Sequence, residues 1–362
     1  MNKKRDALLD VIKGISIILV VLGHTNFVWN HYIYLFHVAV FFMLSGVLYD
    51  ENKIKNGHDI KNYIIKRIKR LYVPYVVINI VAIILNNFFI NIHVYNINTH
   101  SYFGIKEMIM EIIKTLLFCG NSEIIGATWF LRILFFIGII YCLFEKMARK
   151  CKYKEIYHLI FSIVLFFVGL GINKINIKLS LFQPIFTCYI LYVIGNRYIK
   201  YINEYINKLD KKCEICLLVV SVTLLIIMGN FGEIEISKAI YTNLYFFITV
   251  SIIGWIITYI VSKIVLKYMY VKDIITYIGK NSIFILFLHF IAFKIETYII
   301  ILIYKLDINK LGEFPVISTD NKMNSFIYLV GGLIIPLLIS YIYNKIKERR
   351  KYSEIRGSDC NI

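Results

Sequence analysis

The residues able to do acid–base or anion chemistry in this chain lie inside long apolar runs, where they are costly to hold. The first run reads Asp10-Val11-Ile12-Lys13-Gly14 and closes on Gly23-His24. An ionisable side chain at membrane depth costs about 2.5–3.5 kcal/mol on insertion scales, so each one requires a reason. Lys13 and His24 are eleven positions apart, which on one helix rising ~1.5 Å per residue separates them by about 16 Å. Groups so far apart do not act on the same atom; they are two stations along one long ligand. A second run returns as Phe36-His37, Phe41-Phe42 and Ser45-Gly46. The short turn between the runs sets His24 and His37 at similar depth, with His31 solvated in the turn. Imidazole, with an unperturbed pKa of about 6.5, is the side chain best matched to taking a hydroxyl proton near neutral pH. His24 and His37 are therefore the catalytic candidates, and His37 has the alternative role of orienting the first imidazole.

A third feature is Lys66-Arg67-Ile68-Lys69-Arg70, which leads directly into Leu71-Tyr72-Val73-Pro74. Residues three apart share a face of an α-helix. Two guanidinium groups on one face suit phosphates, because each donates two parallel charge-assisted bonds. The competing reading is ordinary basic flanking of a membrane span. Further pocket candidates are Ser45, Trp129 and Arg132 in Trp129-Phe130-Leu131-Arg132, and Ser282 and His289 in the run that follows Gly279-Lys280-Asn281. The seven cysteines are scattered, and Cys213-x-x-Cys216 has no second pair, so no metal site and inert thiols are expected.

The elements that must position these groups follow from composition. Apolar residues make up 59% of the 362 and charged residues only 18%, below the soluble norm of about 25%. The mean hydropathy is +0.67. A soluble enzyme is excluded. Apolar runs occupy 8–28, 32–50, 71–95, 127–147, 156–173, 180–200, 213–230, 238–262, 279–303 and 324–344. They are continuous rather than alternating, so they are helices and not barrel strands. The expectation is an all-α integral-membrane bundle of about ten transmembrane helices over residues 1–350, with 351–362 a short polar tail. The net charge of +18 reports topology rather than a nucleic-acid partner. Of the 41 Lys and Arg, 30 lie in or beside the segments that become cytoplasmic if the N-terminus is inside, and 8 in or beside the outer ones. That bias is the positive-inside pattern, and it places both termini in the cytoplasm. The first run contains Asp10 and Lys13 and lacks a small-residue cleavage site, so it is a retained span. Within the long outer segment, Ile105, Met108, Ile109, Ile112, Ile113 and Leu116 recur at helical spacing opposite Glu107, Glu111 and Lys114. That pattern predicts a helix lying on the membrane surface.

Lys13-x10-His24, Phe36-His37 with Phe41-Phe42 and Ser45-Gly46, Arg67-x-x-Arg70, Trp129-Phe130-Leu131, and Gly279-Lys280-Asn281-Ser282 with His289 together resemble the integral-membrane acyltransferase family 3. Within it the chain is most similar to the branch of fucose 4-O-acetylase-like polysaccharide O-acetyltransferases. The motifs run in the expected order through spans one to four and nine. The resemblance implies that His24 is catalytic and that Arg67 and Arg70, with Lys13, serve the acyl-CoA donor. It also implies transfer of an acyl group, most often acetyl from acetyl-CoA, to a hydroxyl of a cell-surface or secreted glycan. The acyl-CoA is then a co-substrate, with no bound cofactor, and the setting is a multi-pass protein of a bacterial plasma membrane. Two positions depart from the family pattern. Lys13 stands where Arg is common, which keeps the charge without the fork, and Phe130 replaces the Ser of a Trp-Ser-Leu motif, with no acid close behind. Direct attack of the hydroxyl and an acyl-histidine intermediate are both compatible with the sequence. A polysaccharide exporter and a non-catalytic subunit of a polysaccharide synthase are the rival functions.

Overall fold

A computed structural model describes residues 7–120, 122–174, 181–318 and 323–359, with side chains assigned except at 173–174 and 350–359. Cys360, Asp320 and the start of the expected span at 180 lie outside the described residues. The chain forms α1 (Ala7–Gly23), α2 (Asn30–Tyr34), α3 (His37–Val47), α4 (Gly57–Arg67), α5 (Val73–Ile84), α6 (Asn86–Asn91), α7 (Ile105–Leu116) and α8 (Trp129–Ala148). It continues as α9 (Lys154–Lys174), α10 (Gln183–Arg197), α11 (Ile199–Lys208) and α12 (Lys211–Gly229). A hairpin of β1 (Ile234–Glu235) and β2 (Ile240–Tyr241) follows, then α13 (Leu244–Val265), α14 (Met269–Lys280), α15 (Ser282–Tyr304) and α16 (Met323–Asp359). Among the described residues, seven helical stretches are long and apolar enough to cross a membrane. The expected spans at 8–28, 71–95 and 180–200 also coincide with helices: α1, α5 and α10. The protein is an all-α membrane protein.

The centre of the bundle is α10. Thirteen of its fifteen residues are buried, so it is surrounded by other helices rather than by lipid. It packs against α3, α9 and α8, while α9 and α12 leave most of their surface outward. One end of this core is tied by a buried ionic network. The Arg197 guanidinium donates to Glu51 at 3.1 Å, to Glu155 at 3.3 Å and to the buried Glu145, and its Nε reaches the Tyr141 hydroxyl at 2.9 Å. His158 bonds the same Glu145 at 2.8 Å. Buried charges persist only when paired and hydrogen-bonded in this way.

Three features differ from the sequence expectation. The segment 51–70 is not a flanking loop. A capping box starts α4: Asn56 accepts from the Asp59 amide at 2.9 Å, and the Asp59 carboxylate accepts from the Asn56 amide at 3.1 Å. The backbone amides of Lys55 and Asn56 hold that carboxyl below the usual aspartate range. From Gly57 the chain stays helical to Ile84, through a π-helical turn at Ile68–Tyr72. A run of that length is about 42 Å long, beyond the ~30 Å hydrocarbon core. Second, α7 does not lie across the bundle surface. Asn87 donates to the Phe103 carbonyl at 2.8 Å and Tyr72 to the Leu116 carbonyl at 2.9 Å, so α7 runs antiparallel along α5. Third, 238–241, expected as the start of a span, belongs to a hairpin over 234–241; the helix begins at Leu244, where the Asn243 side chain accepts from the Phe246 amide.

The helices carrying the candidate residues are held by close backbone contact. At Gly279 of α14 an added Cβ would fall 1.9 Å from the Asp10 carbonyl oxygen of α1, so only glycine permits this crossing. That contact fixes the depth of Lys13 relative to Ser282.

Candidate active site

Two cavities meet inside the bundle. One, of about 470 Å³, is lined by His24, His37, Tyr34, Ser45 and Trp129. The other, of about 1430 Å³, is lined by Arg70, Arg197, Lys53, Lys200 and Lys280 against Asp10, Asp50 and Glu51. Lys13, Leu48, Ser282 and Ile283 line both. Lys13 therefore stands at the junction between a basic cavity and a histidine cavity, 3.6 Å from Asp10. Of the two stations expected along α1, His24 lines the histidine cavity and Lys13 lines both cavities.

In the histidine cavity, α1 ends at Gly23 and His24 follows in a turn closed by Asn26 in the left-handed region, at φ 55°. His24 Nδ1 lies 3.2 Å from the Tyr34 hydroxyl. Its ring stacks on His289 at 5.6 Å and meets Phe290 edge-on at 4.9 Å. His37 Nδ1 bonds the Ile33 carbonyl at 2.8 Å, and His289 Nδ1 bonds the Ile285 carbonyl at 2.8 Å. A nitrogen facing a carbonyl must carry the proton, so neutral His37 and His289 each keep Nε2 as an acceptor. Among the described residues the buried His289 Nε2 has no hydrogen-bond partner. The imidazole stacked on His24 is thus His289 of α15, while His37 packs against the Tyr34 ring at 5.0 Å. His31 is exposed, as expected, and also bonds the Gly229 carbonyl at the end of α12 at 2.6 Å.

The expected arginine fork does not form. Arg67 donates to the Tyr63 hydroxyl at 2.8 Å and to the Leu134 carbonyl, and its guanidinium fills the space that Gly138 leaves open on α8. Arg70 alone of the pair lines the basic cavity. The cause is the π-helical turn, whose i→i+5 bonding breaks the angular spacing that would align residues three apart. Arg132 is buried, donates to the Phe118 carbonyl at 2.7 Å and lies over the Phe182 ring; it lines neither cavity. Trp129 and Ser45 line the histidine cavity, with the Ser45 hydroxyl bonded to the Phe41 carbonyl at 2.9 Å. Among the described residues no group of three or more His, Cys, Asp or Glu is arranged to hold a metal ion.

Over residues 6–345 the sequence matches a family model described as an acyltransferase domain. The chain belongs to the integral-membrane acyltransferase family 3. It is a membrane acyltransferase. Neither the curated proteins nor the solved structures yield a match. For an acyltransferase of this family the connected path has a plain chemical sense. One cavity is lined by cations, and the other by an imidazole within hydrogen-bond distance of a phenol.

Three contributors to the acyltransferase site carry no signal in the sequence. Tyr34 is one of 28 tyrosines, and only the short α2 between the two long runs aims it at His24. Arg197 reaches the basic cavity from the end of α10, where it resembles ordinary flanking charge. Glu235, Ser237 and Lys238 line the histidine cavity from the hairpin, where the sequence reads as an outer loop running into a span at 238.

Proposed function

We propose that this protein is an O-acyltransferase, most readily an O-acetyltransferase, that moves an acyl group from acyl-CoA to a hydroxyl of a surface or secreted glycan. The observation that carries this reading is the continuity of the two cavities through Lys13 and Ser282. The basic cavity takes the phosphates of the donor at Arg70, with Lys280 and Arg197 on the same walls. The pantetheine arm passes Lys13, and the thioester lies beside His24. The acceptor hydroxyl attacks the thioester carbonyl as His24 Nε2 takes its proton. The C–S bond then breaks, and the departing thiolate recovers the proton from the imidazolium. This direction requires His24 Nδ1–H to donate to Tyr34, which leaves Nε2 bare. The acceptor would come from the fucose 4-O-acetylase-like range of polysaccharides. In the membrane the bundle would have about ten spans with both ends in the cytoplasm, so that the basic cavity opens to the acyl-CoA pool.

A continuous path also suits an exporter, and one experiment separates the two. Glycan is compared by mass spectrometry from cells with and without the gene. A loss of one acyl mass per repeat supports transfer, whereas loss of surface glycan at unchanged repeat mass supports export and removes the acyltransfer reading of the path.

A further inference from the structure

The histidine cavity is closed on one side by the hairpin, and that hairpin is built to be rigid. Ile234 pairs with Tyr241 and Glu235 with Ile240. The tight return is made by Ala239 at φ 60°. Ile234 and Ile236 are buried in the main core. The Tyr241 hydroxyl is 2.8 Å from Thr187 of α10, and the Glu233 amide donates to Thr242 at 2.9 Å. Of the four residues this anchored element presents to the cavity, three are polar and the fourth is Ile236. Glu235, Ser237 and Lys238 line the same space as His24 and Tyr34, and Glu235 and Lys238 pair at 3.0 Å. The carboxylate is the inward partner: its side chain is 28% exposed against 68% for the lysine.

We propose that the hairpin is the acceptor-reading jaw of the enzyme. Glu235 accepts hydrogen bonds from hydroxyls next to the one acylated, with Ser237 and Lys238 completing the contact, and the acceptor it selects is an uncharged sugar. This rests on the carbohydrate reading of the acceptor. Three features of the site support it. The jaw's two charges are opposite, so it carries no net charge, and the carboxylate is the less exposed of the two. Its inward carboxylate matches hydroxyl donors and repels a sugar carboxylate. Trp129 lines the same cavity, and its indole supplies an aromatic surface for the C–H side of a pyranose ring. Apart from Lys238, which is paired with Glu235, the cations line the other cavity or its junction at Lys13, so donor and acceptor are told apart by charge.

The test uses the full-length protein in proteoliposomes with acetyl-CoA and two probe acceptors, methyl hexopyranosides and methyl hexuronosides. Wild type should acylate the neutral glycosides in preference to the acidic ones. Glu235→Gln, which keeps the shape, should raise the KM for the neutral acceptor roughly 10- to 150-fold, the range of a charge-assisted hydrogen bond. It should also narrow the preference over hexuronosides, while kcat at saturating acceptor and the KM for acetyl-CoA change by less than about twofold. The charge-swapped pair, Glu235→Lys with Lys238→Glu, preserves the ion pair and should not restore acceptor KM. Recovery in the swapped pair would show that the ion pair only staples the hairpin, and the jaw would be abandoned. Unchanged acceptor KM in Glu235→Gln, with neutral sugars still acylated, overturns the jaw and leaves the carbohydrate reading intact. Wild type that acylates only hexuronosides overturns the uncharged acceptor. Consumption of acetyl-CoA with acylation of neither probe removes the carbohydrate reading and the jaw together.

Discussion

At the scale of single residues, His24 and Arg70 should fail in kinetically different ways. His24 acts in the transition state, and a general base contributes about 10²–10⁴-fold. His24→Ala should therefore depress kcat at saturating donor while the protein reaches its normal membrane level. Tyr34→Phe removes the hydroxyl 3.2 Å from His24 Nδ1 and should give a smaller loss, about tenfold, within the range of a charge-assisted bond to the imidazolium that forms. Full activity in a well-inserted His24→Ala variant would leave the mechanism without a base. Arg70 lines the basic cavity; if, as proposed, it holds donor phosphates before and during reaction, Arg70→Ala should raise donor KM roughly 10- to 150-fold with kcat nearly intact. Arg67 is engaged by Tyr63 and Leu134, so Arg67→Ala should lower thermal stability and not donor KM. Steady-state kinetics against donor concentration, with a melting curve for each variant, decide the assignment. A donor KM that rises for Arg67→Ala and not for Arg70→Ala would reverse it.

Among the elements, long helices were legible because an apolar run of about 20 residues has few alternatives in a membrane. His24 was legible for a related reason: an imidazole at the end of such a run needs an explanation. Two kinds of information were not available from spacing. The π-helical turn at Ile68–Tyr72 depends on how α4 and α5 pack on α8, so an α-helical reading put Arg67 and Arg70 on one face. The amphipathic face of α7 fits a membrane surface and the flank of α5 equally well, and only the contacts of Asn87 and Tyr72 distinguish them. His289 was placed correctly in its helix, but its stacking on His24 is a tertiary fact that no local pattern encodes. The α1–α14 crossing permits a direct test at this scale. Gly279→Val forces a side chain against the Asp10 carbonyl, and such overpacking costs about 1–3 kcal/mol. Its thermal midpoint should fall, and donor KM should rise with it, because Lys13 and Ser282 lose register. A variant as stable and active as wild type would show that this contact does not set the junction.

For the molecule as a whole, the account depends on which cavity faces which side of the membrane. Lys208 and Asn98 are both exposed and lie at opposite ends of the helices. In intact cells a single cysteine at Lys208 should resist a membrane-impermeant thiol reagent, while one at Asn98 should label. Labelling at Lys208 would invert the bundle and remove the basic cavity from the acyl-CoA pool. The central claim, that the acyl group travels from the basic cavity past Lys13 to His24, is tested most directly in sided proteoliposomes. Isotope-labelled acetyl-CoA is supplied only to the face that exposes Lys208, and acceptor glycan only to the face that exposes Asn98. The account predicts label in the glycan across an intact bilayer, and none with His24→Ala. Acylation that occurs only when donor and acceptor share one face would contradict it.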